Sequence, residues 1–183
     1  MEIASRSQLR MSFLRYALVT VPLVLLLGTL AGSLPDDAVS DIWYDGLKKS
    51  PADPPEWIFG VVWPILYILM GLALAMVLHA RGARGRGVAV SLFLLQLVLN
   101  LSWSPVFFGA HRVGLAFAII VLMLGAAIGA TFAFARIRKA AAWLMLPYLA
   151  WLGFAAALNY DIMRLNPEAA DLAPARGTTN IAL

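Results

Sequence analysis

The sequence contains no cysteine and only two histidines, and charged residues make up 13% of its 183 residues. Without cysteine, disulfide bonds and thiolate metal sites are excluded. A soluble domain of this length usually carries about 25% charged residues, so the composition also argues against a soluble globular protein. The scarce charges lie between the long apolar stretches, which is the pattern of a protein that crosses a membrane several times.

Apolar residues, in contrast, make up 62% of the chain. They form five runs long enough to cross a bilayer as helices, at residues 16–34, 57–78, 88–108, 113–135 and 141–163. We therefore predict an all-α membrane protein, a bundle of five transmembrane helices over residues 16–165. The break between the third and fourth runs is very short, which predicts that these two helices are antiparallel neighbours. Residues 1–15 and 166–183 are predicted to be disordered tails, because they are rich in Pro, Ala and polar residues.

The first run has a second interpretation. A basic flank, an apolar core and the small residues Ala31, Gly32 and Ser33 are also features of a secretory signal peptide. The apolar core is somewhat long for a signal peptide, which favours a retained first span.

The basic residues predict the orientation of the chain. Nine lie on the side of the amino terminus, namely Arg6, Arg10, Arg15, Arg81, Arg84, Arg86, Arg136, Arg138 and Lys139. Five lie on the other side, namely Lys48, Lys49, Arg112, Arg164 and Arg176. Because basic loops tend to stay in the cytoplasm, we predict a cytoplasmic amino terminus and an external carboxyl terminus. This topology explains the net charge of +4 without nucleic acid as a partner, and the short Arg-rich loops favour a bacterial cell membrane over an organellar one.

The connection between the first two runs brings aromatic rings, prolines and charges together, from Trp43 and Tyr44 to Pro54, Pro55 and Trp57. Such a segment cannot lie in lipid, and the predicted topology places it outside. We therefore predict that it forms a lid over a pocket enclosed by the helices.

Three of the runs carry a face with hydrogen-bonding groups or large flat rings, at the spacing that places side chains on one side of a helix. These faces comprise Trp63, Tyr67 and Met70 on the second run, Gln96, Asn100 and Ser104 with Trp103 on the third, and Trp151, Ala155 and Asn159 on the fifth. Because lipid cannot satisfy an amide, such faces turn inward. They predict an apolar cavity with a few polar groups, suited to a flat hydrophobic ligand.

Each of these features also has a structural explanation. Amides such as Asn100 link neighbouring helices, and Trp43, Tyr44, Trp57 and Trp143 also suit the aromatic belts at the membrane surfaces. On the fourth run Gly125 and Gly129 form a GxxxG motif, and on the first run Gly28 and Gly32 form another. Such motifs serve either internal packing or a homodimer interface.

Signals for catalysis are weak. No Asp, Glu, Lys, Arg or His lies in the middle of a run, which argues against a proton relay or an ion-coupled transporter. His79 and His111 lie at run ends on opposite sides of the membrane, so they cannot share a metal ion. We predict no catalytic residue and no metal site.

Specific motifs occur in order along the chain. They are Trp43-Tyr44 with Leu47 and Lys49, Pro54-Pro55 with Trp57, Val62-Trp63 with Leu66-Tyr67, Asn100 with Trp103, Pro105 and Phe107-Phe108-Gly109, and Pro147-Tyr148-Leu149 with Trp151, Phe154-Ala155 and Leu158-Asn159-Tyr160. From about Trp43 to Asn166 the chain resembles the translocator protein family (TspO/MBR), also called tryptophan-rich sensory proteins or peripheral-type benzodiazepine receptors.

The resemblance implies a five-helix bundle, often dimeric, with no obligatory cofactor. It implies a pocket for porphyrins such as protoporphyrin IX and haem, and in some members for sterols and benzodiazepine-site drugs. By position, the resemblance implies that the ligand-binding residues include Trp43, Tyr44, Trp63, Gln96, Asn100, Trp103, Trp151 and Ala155. We add Tyr67, Tyr148 and Asn159 to the predicted ligand-binding set. Among them Trp63 and Trp151 are expected to flank the ligand, and Trp43 and Tyr44 to close the pocket. Leu158, Tyr160 and Arg164 match a loose sterol-contact pattern.

The lid departs from the family pattern Lys-Pro-x-Trp-x-Pro-Pro, because Ser50 replaces the usual proline and Ala52 the usual tryptophan. The expected function is nevertheless porphyrin or haem binding in the membrane, for transport, sensing or scavenging. One alternative is light-dependent porphyrin degradation assisted by tryptophan. Another is a regulatory or scaffold protein that its ligand tunes.

Overall fold

The computed structural model describes residues 6–33 and 38–169, with side chains for residues 11–33 and 42–169. The helices are α1 (Arg6–Ser33), α2 (Ala38–Gly46), α3 (Glu56–His79), α4 (Arg86–Ser104), α5 (Val113–Ile137) and α6 (Lys139–Leu165). A π-helical turn at Pro105–Gly109 extends α4, and the described residues contain no strand. Every helix except α2 is long and apolar enough to cross a membrane, which confirms the predicted bundle of five spans.

The first helix begins earlier than predicted. Residues 6–15 were assigned to a tail, but they are helical and the membrane-spanning part of α1 begins at Met11. The reason is packing against the end of α3, where the rings of Phe13 and Tyr16 lie 6.2 and 6.3 Å from that of His79. Residues 1–5 and 170–183 of the predicted tails lie outside the described residues.

Glycine determines the turn between α3 and α4. Gly82 and Gly85 both have φ of +79°, a left-handed conformation that residues with a Cβ rarely adopt. The chain therefore leaves α3 at His79 and enters α4 at Arg86 in a short connection.

The spans pack in a ring in which α1 lies on α3, α3 on α6, α6 on α5 and α5 on α4. The third and fourth predicted spans, α4 and α5, are indeed neighbours. The carboxyl ends of α1, α4 and α6 and the amino ends of α3 and α5 share one end of the bundle with α2, which we call the lid end. The opposite end, with the α3–α4 and α5–α6 connections, we call the basic end.

Small residues allow α1 to approach α3 closely. A methyl group added to Gly28 would overlap the ring of Tyr67, and one added to Gly71 would lie 2.7 Å from the Cα atom of Val21. The hydroxyl of Thr20 donates a hydrogen bond to the carbonyl of Gly71 at 2.8 Å. The two glycines of the α5 motif have different surroundings. Gly129 faces Leu92 of α4, whereas Gly125 is exposed and has open space beside it. A homodimer interface at Gly125 and Gly129 stays a prediction.

Candidate functional site

A cavity of about 860 Å³ opens at the lid end of the bundle. Its wall combines α1, α3, α4 and α6 with the lid, and α5 contributes Ile120 and Met123. Pockets for small ligands usually measure about 300–1,000 Å³ and are mostly apolar with a few polar groups. Of the predicted site residues, the wall contains Tyr44, Trp63, Tyr67, Asn100, Trp103, Ala155 and Asn159.

Two pairs of stacked rings form much of the wall. Trp63 stacks on Tyr67 within α3, with ring centroids 5.4 Å apart and planes at 28°. Trp103 stacks on Phe107 with centroids 5.0 Å apart and planes at 17°, and Phe108 meets Trp103 edge-on. Both phenylalanines lie in the π-helical turn, and Phe107 follows Trp103 by four residues, as Tyr67 follows Trp63 on α3. The cavity thus offers flat apolar surfaces on α3 and at the end of α4.

Asn100 ties three helices together behind this wall. Its Oδ1 atom accepts a hydrogen bond from the Tyr67 hydroxyl at 3.0 Å, and its Nδ2 atom donates to the Tyr148 hydroxyl at 3.2 Å. The Tyr148 hydroxyl donates in turn to Oε1 of Gln96 at 2.7 Å. Tyr148 and Gln96 are fully buried and do not line the cavity. In this structure Asn100 therefore links α4 to α3 and α6.

A second amide makes a similar link nearer the lid. The indole Nε1 of Trp103 donates to Oδ1 of Asn159 at 3.1 Å, and Nδ2 of Asn159 donates to the carbonyl of Val113 at 3.2 Å. These contacts fix the Trp103 ring against α6 and α5. Both amides that line the cavity are thus engaged with protein groups, and their role is to hold aromatic rings in place.

Trp151 lies behind the wall. Its ring meets Trp63 edge-on, with centroids 6.5 Å apart and planes at 87°, and it also packs against Phe59 at 5.6 Å. Its Nε1 atom is buried and has no hydrogen-bond partner among the described residues. Trp63 lines the cavity, whereas Trp151 packs against Trp63 and is not part of the lining. That the two rings flank a ligand stays a prediction.

The two adjacent aromatic residues of the lid, Trp43 and Tyr44, lie in different environments. Tyr44 lines the cavity, with its ring 5.4 Å from Phe108 and its hydroxyl 3.4 Å from Asp53. Burial, reinforced by the charge of Asp53, raises the pKa of Tyr44, so the phenol stays neutral. Trp43, predicted to close the pocket, is 1% exposed and absent from its wall. Its Nε1 atom donates to the carbonyl of Ala169 at 2.7 Å, so Trp43 anchors the lid.

The residue that holds the lid in place was not predicted from the sequence. Asn166 accepts a hydrogen bond from the Lys48 backbone N–H at 2.9 Å and donates one to the Lys48 carbonyl at 2.9 Å. Residues 166–169 were assigned to the tail, but Asn166 and Ala169 are buried against the lid. An asparagine three residues after the last apolar run was the available signal, since such a residue often satisfies backbone groups at a helix end.

Acidic side chains surround the opening of the cavity. Asp45, Asp53 and Glu56 all belong to its lining, and Nζ of Lys49 lies 3.6 Å from Asp45 and 3.8 Å from the centre of the Tyr44 ring. The negative potential here is therefore only partly compensated.

The three residues of the sterol pattern do not share one surface. Leu158 is buried and lines the cavity, whereas Tyr160 and Arg164 are exposed on the outside of α6. The guanidinium of Arg164 lies 5.8 Å from the centre of the Tyr160 ring.

The sequence model of the TspO/MBR family matches residues 19–165. The chain belongs to the TspO/MBR family. It is 42% identical over 138 residues to a tryptophan-rich protein TspO of Chlorobaculum tepidum, covering 75% of this chain and 87% of the relative. It is 42% identical over 126 residues to a translocator protein of Homo sapiens, covering 68% of this chain and 75% of the relative. It is 39% identical over 132 residues to a tryptophan-rich sensory protein of Cereibacter sphaeroides, covering 70% of this chain and 82% of the relative.

Membership in this family and the five apolar helices establish a multi-pass integral membrane protein. The relatives from Chlorobaculum tepidum and Cereibacter sphaeroides fit the predicted bacterial cell membrane.

Proposed function

We propose that the cavity binds a flat hydrophobic tetrapyrrole, such as protoporphyrin IX or haem, inside the membrane. The observation that carries the proposal is the pair of stacked aromatic walls, Trp63 on Tyr67 and Trp103 on Phe107, around a space of about 860 Å³. A planar conjugated ligand gains most from flat rings, because stacking adds to the free energy of apolar burial. The helix-linked amides Asn100 and Asn159 contribute rigidity to this surface.

The geometry favours binding over general acid–base catalysis. The carboxylates among the lining residues, Asp45, Asp53 and Glu56, stand at the opening, and the deeper wall is made of aromatic, aliphatic and amide groups. A carrier, sensor or scavenger needs a reversible site of this kind. The names of the relatives, translocator protein and tryptophan-rich sensory protein, accord with such roles in those proteins.

The test is a titration of the purified protein with protoporphyrin IX, followed by quenching of tryptophan fluorescence. Trp63→Ala should weaken binding about fivefold, the equivalent of roughly 1 kcal/mol for one lost aromatic contact. Trp143→Ala is the matched control, because Trp143 is 69% exposed at the basic end of α6, far from the cavity. Equal affinities of Trp63→Ala and Trp143→Ala for the porphyrin would refute the site.

The contact between Trp63 and Trp151 favours a second candidate, the light-dependent degradation of a bound porphyrin with tryptophan taking part. Under this alternative, illumination produces a new absorbing product, and Trp151→Phe suppresses it. Recovery of unchanged porphyrin after illumination of the wild-type complex would leave binding alone as the function.

A further inference from the structure

A second cleft, of about 380 Å³, lies at the basic end between α1 and α3. It is separate from the aromatic cavity and shares no lining residue with it. Its wall includes Ser12, Arg15, Tyr16, Val19, Leu78 and Arg81. One arginine of α1 and one of the turn that follows α3 thus line the same partly apolar depression.

Tyr16 fixes the position of one of these arginines. The Nε atom of Arg81 donates to the Tyr16 hydroxyl at 3.0 Å, and the Arg81 guanidinium lies 5.7 Å from the centre of the Tyr16 ring. Within the described part of the chain, this contact leaves the terminal nitrogens of Arg81 without an acceptor, and Arg15 takes part in no hydrogen bond or ion pair. Both guanidinium groups are therefore available to an anion.

The surrounding charges do not neutralise the two arginines. Among the described side chains, the basic end carries seven basic residues and no acid, the seven being Arg15, Arg81, Arg84, Arg86, Arg136, Arg138 and Lys139. The described acids all lie at the lid end, namely Asp45, Asp53, Glu56, Asp161 and Glu168. No described acid therefore balances the charge of the two arginines in the cleft.

The depth of the cleft indicates which anion fits. Arg15 lies one turn inside the span that starts at Met11, and Arg81 lies just beyond the span that ends at His79, so the guanidinium groups stand at the membrane surface. Val19 belongs to the cleft wall on the membrane side of Arg15, and Val19 and Leu23 are exposed in succession along α1. If the arginines bind the anionic head group of a lipid, its acyl chain can therefore lie along the exposed apolar side chains of α1.

We propose that this cleft binds an anionic glycerophospholipid, with its phosphate between Arg15 and Arg81 and a chain along α1. Basic pockets between membrane helices on the cytoplasmic side suit lipid head groups, and each arginine near an anionic surface contributes about fivefold in affinity. The ligand comes from the leaflet at the basic end, which is the predicted cytoplasmic leaflet.

Native mass spectrometry of the detergent-solubilised full-length protein tests the proposal, with phosphatidylglycerol and phosphatidylcholine titrated in parallel. The wild type should bind the first phosphatidylglycerol in clear preference to phosphatidylcholine. Arg15→Gln should reduce this preference about fivefold. Because Arg15 makes no polar contact with the described protein, its replacement should leave the packing intact. The double variant Arg15→Gln/Arg81→Gln should abolish the preference.

The matched control is Arg136→Gln/Arg138→Gln, which removes the same charge from the same end but outside the cleft. It should retain the wild-type preference, and an equal loss in both double variants would show general surface attraction and overturn the site. Retention of the preference in Arg15→Gln/Arg81→Gln would overturn it as well. In a third arm, inorganic phosphate should not displace the lipid at equal concentration, and efficient displacement would identify a site for soluble anions instead.

Discussion

Gly28 of α1 lies directly against the ring of Tyr67 of α3, and no space remains between them for a methyl group. The same Tyr67 ring stacks on Trp63 in the cavity wall, and its hydroxyl donates to Asn100. The close approach of α1 therefore holds a ring that belongs both to the candidate site and to the polar network of the bundle.

The first prediction follows from this contact. Gly28→Ala should lower the free energy of unfolding by about 1–3 kcal/mol, because the added methyl forces the Tyr67 ring or α1 to move. Gly32→Ala is the matched control on the same helix, since nothing lies within 4 Å of a methyl group there. Both are measured by unfolding in detergent, followed by circular dichroism. Equal stabilities of the two variants would show that α1 is not held by this contact.

Asn100 provides the second prediction. Asn100→Leu removes the hydrogen bonds to Tyr67 and Tyr148 and should destabilise the bundle by about 1–2 kcal/mol. Tyr148→Phe should also reduce stability, although Tyr148 does not line the cavity. Ser102→Ala is the control, because the Ser102 hydroxyl bonds only within its own helix, to Leu99.

The same variants separate the structural role of Asn100 from direct contact with a ligand. If Asn100 acts by positioning Tyr67, Tyr148→Phe should weaken porphyrin binding in proportion to its loss of stability. A large loss of binding in Asn100→Leu alone, with stability unchanged, would mean that the amide contacts the ligand directly.

Much of the fold and of the cavity wall could be predicted from periodicity. Side chains three or four residues apart on a helix share one face, and polar groups avoid lipid, so Trp63 with Tyr67, Asn100 with Trp103, and Ala155 with Asn159 were expected to turn inward. They do meet around one cavity. The contribution of α1 was not foreseen, because its glycines gave no indication of which neighbour they face.

Trp43 shows why the lid could not be predicted in detail. Consecutive residues on a helix point about 100° apart, and within α2 this rotation turns Trp43 away from the cavity that Tyr44 lines. Because this connection was not predicted to be helical, both rings were expected to close the pocket. The partners of the lid, Asn166 and Ala169, lie more than a hundred residues further along the chain, and local patterns carry no information about such pairings.

The acidic opening leads to a third prediction. Glu56 is exposed at the start of α3, in the lining of the cavity. If the cavity binds protoporphyrin IX as proposed, Glu56 should repel the carboxylates of the porphyrin. Glu56→Gln should therefore tighten binding of this porphyrin about twofold to fivefold at low salt, and the gain should shrink at high salt. The uncharged dimethyl ester of the porphyrin is the matched ligand, and its affinity should not change. An equal gain for acid and ester would rule out the electrostatic explanation.

The fourth prediction concerns the rate at which the lid opens. Asn166→Ala removes both hydrogen bonds to the Lys48 backbone and should make opening easier by about 1–2 kcal/mol. Because these bonds are broken when the lid lifts, porphyrin release should accelerate about fivefold to thirtyfold. Stopped-flow recovery of tryptophan fluorescence measures release, and hydrogen exchange of residues 43–49 measures opening.

Glu168→Gln is the control for this experiment, because Glu168 is exposed in the same turn and its side chain makes no hydrogen bond or ion pair with the described residues. It should leave both exchange and release at wild-type rates. If Asn166→Ala raises exchange in the lid without altering release, the ligand leaves by another route, between helices into the bilayer. Unchanged exchange would instead mean that the bond from Trp43 to Ala169 suffices to hold the lid.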